Sequence, residues 1–263
     1  MTERFDDEEL DRYARQIVLQ EVGGVGQARL RAARVLMVGA GGLGCPVALY
    51  LVAAGVGTLT LIDDDRVTLG NLHRQILFTA QDVGRPKVEA ARAALLRRTP
   101  RAVVHAVDRR LSEANARELF AGHDLIIDGS DNFATRSLVA DAAAFCGIPL
   151  VSGSVQGFEG QLAVLEPFAD PASPCLHCLF PETPSPNALP TCAVGGVMGP
   201  VAGLLGTLMA TEAVKVLLDL EGRLCGRLLL VDGLMARLEP IRVRRRRDCG
   251  PDCPKARGLP ATA

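Results

Sequence analysis

The 263-residue chain lacks any large excess of one charge. Lys and Arg total 29 against 30 Asp and Glu, a net charge of −1. Nothing in that balance calls for nucleic acid or an anionic membrane as a partner. The first sixteen residues, MTERFDDEELDRYARQ, are charged and amphipathic and hold no apolar signal core. The expected location is therefore the cytoplasm. No internal repeat is found. There is also no G-x-x-x-x-G-K-[ST], so P-loop chemistry is not indicated.

Two local features run against this even background. RVRRRR (242–247) is a basic run. Ile241 and Val243 alternate with arginines there, which suits a strand end with a solvated face; a site for a polyanion or an acidic partner is the alternative. AVGGVMGPVAGLLGTLMA (193–210) carries no charge, and its length alone would suit a membrane span. Glu212 and Lys215 follow at once, however, and glycines and a proline interrupt the run. A buried core or subunit-interface helix is expected instead. Its Gly199-x-x-x-Gly203 spacing would admit a second backbone.

DDEELDRYARQIVLQ (6–20) reads as a helix capped by Asp6 or Asp7, with Leu10, Tyr13, Ile17, Val18 and Leu19 near one face. VGQARLRAA adds a second. Beyond it strand and helix alternate. Strands are expected at RVLMVG, 58–63, 102–107, 124–128 and 149–155. The helices between them are GLGCPVALYLVAAG, 86–98, SEANARELF and ATRSLVADAAAFC. Such alternation predicts a doubly wound, Rossmann-like α/β sheet. After residue 155, the segments 160–166, 226–233 and LEPIRVR predict strands that extend the parallel part with antiparallel members. The expected organisation has three parts: N-terminal helices (6–32), a nucleotide-binding core (33–155) and a substrate, crossover and zinc region (156–253). Together they make one unit over 1–250, and 254–263 forms a flexible tail.

VLMVGAGGLG (35–44) closes an apolar strand with a G-x-G-x-x-G. Gly39 permits the tight turn, Gly41 lets backbone N–H groups approach phosphate, and Gly44 packs helix on strand. Asp63 ends the next strand, where a carboxylate can grip ribose hydroxyls. To this point NAD and ATP fit equally well. The residues beyond Asp63 favour ATP. DDDRVTLGNLHRQILF (63–78) adds Asp65, Asn71, Arg74 and Gln75; Lys87 opens the next helix; Asp131 and Asn132 come after the DLIIDG strand. Cations and a metal-holding carboxylate at the C-terminal strand edges suit displacement at phosphorus, not hydride transfer.

Eight cysteines are present. Cys45, Cys146 and Cys225 lie in apolar runs and read as core residues. Cys175 and Cys178 form one short-spaced pair and Cys249 and Cys253 another, which suits a tetrahedral zinc site. A three-cysteine site completed by His177, a redox C-x-x-C and no metal at all remain alternatives. Cys192, in TCAVGG, reads as a small residue at a helix start, where the helix dipole would lower its pKa.

Residues 8–245 resemble the ThiF/MoeB/HesA family, bacterial relatives of ubiquitin-activating enzymes. The resemblance rests on RYARQ, GAGGLG, DDDRV, NLHRQILF, GRPKVE, SDNFATR, GFEGQ, CLHC and TCAVGGVMGP. It implies adenylation, with Mg·ATP, of the C-terminal Gly-Gly carboxylate of a ubiquitin-like sulfur carrier of the ThiS or MoaD kind. Thiamine or molybdopterin biosynthesis would be the setting, and LFTAQDVGRPK and GFEGQLAVLEP look somewhat more like the thiamine branch. By the same resemblance Gly41, Gly42 and their neighbours hold phosphate and Asp63 holds ribose. Asn71, Arg74 and Lys87 contact the phosphates, and Asp131 holds Mg²⁺. Arg15 reaches the partner subunit's ATP in a homodimer, and Cys192 takes up the carrier covalently in some relatives. A sulfurtransferase is a further candidate partner. The zinc motif departs from the family's usual pattern: Ala256 stands where a second closely spaced cysteine is expected after Cys253, and Cys249 would have to replace it. Readings from other classes are an NAD-dependent oxidoreductase and a non-catalytic scaffold that binds a ubiquitin-like tail.

Overall fold

The computed structural model describes residues 5–170, 172–181 and 195–249. Cys192 and Cys253 lie outside the described residues, as does the expected C-terminal tail. Helix α1 (Asp7–Ile17) begins at a capping box. Asp6 accepts the Glu9 N–H at 2.9 Å, and the Glu9 carboxylate accepts the Asp6 N–H at 3.1 Å. Three acidic residues in its first turn complement the helix dipole. The helix stops at Ile17 and not at residue 20. Tyr13 is its buried residue; Leu10, Val18 and Leu19 are exposed, so the expected apolar face is only partly used. Next comes α2 (Gly23–Ala32).

Eight strands form one sheet: β1 (Arg34–Val38), β2 (Thr58–Ile62), β3 (Val103–Val107), β4 (Leu125–Asp128), β5 (Leu150–Gln156), β6 (Glu159–Leu165), β7 (Arg227–Asp232) and β8 (Arg237–Arg242). Their order is β3-β2-β1-β4-β5-β6-β7-β8. Pairings among β1 to β5 are parallel, and those from β5 to β8 are antiparallel. The expected doubly wound sheet with an antiparallel extension is therefore the observed one. β1, β2 and β4 are almost wholly buried, as strands covered on both faces must be.

Further α-helices among the described residues are α3 (Gly44–Ala53), α4 (Lys87–Arg98), α5 (Glu113–Phe120), α6 (Phe133–Cys146), α7 (Leu176–Leu179) and α8 (Gly199–Leu218). α2, α3, α4 and α8 feed one core on one face of the sheet. α5, α6 and Leu176 of α7 feed a second core on the other. Residues 167–192 are rich in Pro and Cys and their sequence predicts a loop, but α7 forms a short helix within them.

α8 is long and apolar enough to cross a membrane, but most of it is buried inside the fold. Its buried Glu212 accepts the Leu224 N–H at 2.9 Å and pairs with Lys215. The close approach expected at Gly199 and Gly203 is divided differently. A Cβ on Gly199 would lie 2.3 Å from the His73 carbonyl oxygen, whereas Gly203 faces open space. Gly206 makes the second close approach: its Cβ would meet Pro46 Cγ at 2.4 Å and the Leu43 oxygen at 2.7 Å. Gly206 therefore seats α8 against α3, and Gly199 seats its start on the 71–75 turn.

Candidate active site

β1 has β2 on one side and β4 on the other, so the strand order reverses at β1. Open α/β sheets bind ligands in the crevice that this reversal creates at the C-terminal strand ends. The glycine turn sits there. Gly39 has φ +92°, and a Cβ on it would lie 2.9 Å from the Gly129 carbonyl oxygen. A Cβ on Gly44 would lie 2.1 Å from the Gly39 oxygen. Both positions thus require glycine for packing. Gly41 differs: among the described residues, the only atom near its would-be Cβ is Gln75 Nε2 at 3.7 Å. The space beside Gly41 is open. A Cβ on Gly42 would lie 3.4 Å from the aliphatic stem of Arg74.

Asp63, half-buried at the end of β2, accepts the Ala40 N–H at 2.8 Å with one oxygen and the Asp65 N–H at 2.9 Å with the other. Burial raises its pKa, against the opposing pull of Lys87 and these two N–H groups. Lys87 is buried, and its ammonium donates to Asp65 at 2.7 Å. Asp63, Asp64 and Asp65 gather their carboxylates within 4.8 Å.

Asn71 ends the short 3-10 turn Leu69–Asn71, and its carbonyl accepts from the N–H groups of Arg74 and Gln75. That turn lays the aliphatic stem of Arg74 beside the glycine loop, while the guanidinium turns back to donate to the Gly70 carbonyl at 3.1 Å. Gln75 is 3% exposed and its Oε1 has no partner among the described residues. A buried amide oxygen left open beside the glycine cradle fits a site that closes around a polar ligand such as a nucleotide.

Asp131 is exposed at the crevice edge, with no hydrogen bond or ion pair among the described residues, so its carboxylate is available for a cation. Asn132 differs from expectation in one respect. Its side-chain oxygen caps α6, accepting the Thr135 N–H at 2.9 Å, which leaves only its amide nitrogen for a ligand. Arg15 is exposed near the end of α1, with no bond among the described residues and well away in sequence from the crevice loops.

Sequence alone does not single out the buried polar network beneath Asp131. Asp128, fully buried at the end of β4, accepts from the Ser130 N–H at 3.0 Å, the Ser130 hydroxyl at 2.6 Å, the Ser152 hydroxyl at 2.8 Å and Arg136 Nε at 3.3 Å. Arg136 also donates to the carbonyls of Ser130 at 3.1 Å and Gly153 at 3.3 Å. The available signal is an aspartate that closes an apolar strand and an arginine eight residues on.

Three of the cysteines meet at α7. The sulfur of Cys175 lies 3.7 Å from those of Cys178 and Cys249, and the three sulfurs lie within 4.8 Å of one another. Three converging thiols fit a zinc site. His177 is not gathered with the three sulfurs; its Nε2 meets Asp141 at 2.8 Å, and its buried Nδ1 has no partner among the described residues. Burial pushes the Cys178 thiol up, but the backbone N–H groups of Arg246 and Cys175 and the neighbouring thiols together hold it below its ordinary value. The basic run serves this cluster. β8 ends at Arg242, so the expected strand alternation fails beyond it. Arg245 instead donates to the carbonyls of Pro167, Ser173 and Cys249, and the Arg246 N–H points at the Cys178 sulfur.

A family model described as the ThiF family matches residues 13–254. The chain belongs to the ThiF family. It is 49% identical to the sulfur carrier protein adenylyltransferase of Thermus thermophilus over 95% of this chain and 92% of that one. It is 46% identical to the SAMP-activating enzyme E1 of Haloferax volcanii over 97% and 91% of the two chains. Among solved structures, PaaA has the same fold, with a TM-score of 0.78, 23% identity, and coverage of 94% of this chain and 77% of that one.

Proposed function

We infer that this chain adenylates the C-terminal carboxylate of a ubiquitin-like sulfur-carrier protein, consuming ATP and releasing pyrophosphate. Two near full-length relatives are named a sulfur carrier protein adenylyltransferase and a SAMP-activating enzyme E1. The single geometric observation behind the reading is the set of groups around the open glycine cradle. Arg74 flanks Gly42, Lys87 is buried next to Asp65, and the exposed Asp131 follows Gly129 and Ser130, which lie against the Gly39 turn. A nicotinamide site would need an apolar pocket and a proton relay, which this set does not provide.

In the reaction, a carboxylate oxygen of the carrier tail bonds to the α-phosphorus of ATP while the bond to the bridging oxygen of pyrophosphate breaks. The tail is ionised at neutral pH, so no general base is required. Catalysis then depends on alignment and on offsetting negative charge. In this reading the N–H groups around Gly41 and Gly42 and the start of α3 receive phosphate, and Gly39 and Gly44 shape the turn. Asp63 fixes the turn and binds ribose. Asn71, Arg74, Gln75 and Lys87 contact the triphosphate, with Asp65 holding Lys87 in place. Asp131, assisted by the Asn132 amide, holds Mg²⁺, which when bound neutralises phosphate charge. Arg15 acts on the second site of a homodimer. Cys175, Cys178 and Cys249, joined by Cys253, hold zinc that ties the 167–181 loop to the chain's end. Residues 1–250 work as one adenylation unit, and Cys192 is the candidate for a covalent carrier adduct before a sulfurtransferase acts.

The test is carrier-dependent ATP–pyrophosphate exchange against a panel of small carriers ending in Gly-Gly. Exchange with at least one carrier, lost when its last glycine is removed, is expected. Exchange with none, alongside stabilisation by NADH and not by Mg·ATP, would return the chain to the oxidoreductase reading.

A further inference from the structure

Asp131 has no bond of its own among the described residues to fix it, yet the residues just before it are held tightly. Gly129 lies against the glycine turn: its N–H donates to the Val38 carbonyl at 2.9 Å, and its own carbonyl fills the space where Gly39 would carry a Cβ. Ser130 is held through its N–H, its hydroxyl and its carbonyl. Each of those three bonds ends on Asp128 or Arg136. Arg136 also reaches across to the Gly153 carbonyl of β5, and Ser152 of the same strand donates to Asp128. One guanidinium thus joins β4, the 129–132 loop, α6 and β5.

A fully buried carboxylate and a nearly buried guanidinium are a poor source of stability, because desolvating both cancels most of their attraction. They do fix geometry, since the planar fork engages a carboxylate and two carbonyls in set directions. We propose that Arg136 is a positioning residue for adenylation. Through Asp128 and Ser130 it holds the backbone that presents Asp131 at the crevice. It contacts neither ATP nor the carrier. The proposal rests on the reading that Asp131 serves magnesium-dependent adenylation.

Arg136→Lys is the informative variant. It keeps the charge but lacks the fork, so the carboxylate and both carbonyls cannot be served together. Two measurements are needed. The first is amide hydrogen exchange of peptides covering residues 129–135 in ligand-free protein, where exchange about fivefold or more faster than wild type is expected. The second is steady-state ATP–pyrophosphate exchange. There a kcat about tenfold or more lower is expected, with a raised magnesium requirement and carrier KM within about twofold. Unchanged amide exchange, or unchanged kcat and magnesium response, in folded Arg136→Lys overturns the proposal. Should that variant fail to fold, the double variant D128N/R136Q removes both charges together and is judged on the same two readouts. Failure of the underlying reading looks different: wild-type protein shows no carrier-dependent exchange, or Asp131→Asn matches wild type.

Discussion

Asp63 at the end of β2 accepts the N–H of Ala40 at 2.8 Å, so the carboxylate of one strand end closes the glycine turn of the next. Its other oxygen takes the Asp65 N–H. The residue that reads as a ribose ligand therefore also shapes the phosphate loop. Asp63→Ala should lower stability by about 1–3 kcal/mol, the cost of leaving such N–H groups unmet, and raise KM for ATP more than a simple ribose contact would. Asp63→Asn keeps one acceptor and should recover part of both. Equal effects of the two substitutions in melting and ATP titration would argue against the shaping role.

The glycine turn separates packing from binding. Gly44→Ala drives a methyl group to within 2.1 Å of the Gly39 oxygen, a backbone clash with no flexible neighbour to yield. It should destabilise the fold by more than about 3 kcal/mol. Gly41→Ala meets only Gln75 at 3.7 Å. It should fold within about 0.5 kcal/mol of wild type yet bind ATP at least about tenfold more weakly, because the methyl takes space needed by phosphate. Thermal melts beside nucleotide titration check both.

Lys87 and Asp65 form an ion pair of unequal members: the lysine is 7% exposed and the aspartate 68%. An exposed partner contributes little to stability, about 0–1 kcal/mol. Asp65→Asn should therefore melt close to wild type and retain measurable exchange. Lys87→Ala should cost at least about 100-fold in kcat if the ammonium meets phosphate in the transition state. A Lys87→Ala enzyme within about tenfold of wild type would remove this residue from the site.

Thiol chemistry should divide the cysteines. Burial pushes Cys45 up to about 12, and its location under the glycine turn shields it as well. The Cys178 thiol lies below its ordinary value. A lowered pKa means more thiolate at a given pH, so after chelation Cys178 should be alkylated near neutral pH while Cys45 stays unmodified until the protein unfolds. As purified, the cluster should carry about one zinc per chain and resist alkylation. Metal analysis and mass mapping of alkylated peptides decide this.

Much of the nucleotide end is legible in the sequence. The apolar runs of β1, β2 and β4 carry burial on both faces directly, and the glycine spacing marks the turn between β1 and α3. Other features depend on three-dimensional neighbours. The Asp128–Ser152 bond requires knowing that β4 lies beside β5, 24 residues on. Gly203 and Gly206 look alike until α3 is placed, and only Gly206 meets Pro46. The arginine run alternates like a strand, yet the strand ends at Arg242; one further backbone bond joins the Val243 N–H to Gly226, and Arg245 turns to the carbonyls of Pro167 and Ser173, more than 70 residues earlier, and to that of Cys249. Asn132 reads as an amide ligand, but the start of α6 takes its oxygen.

Arg245 holds the carbonyls of Pro167, Ser173 and Cys249 without the help of sulfur. The two distant chain segments that supply the thiols are thus tied by bonds between nitrogen and oxygen in addition to the contacts made by sulfur. A metal arriving at this place finds three thiols already assembled, so their capture spends little chain entropy and loss need not scatter them. Loading can then be reversible in the folded protein, in contrast to small domains that must fold around their ion.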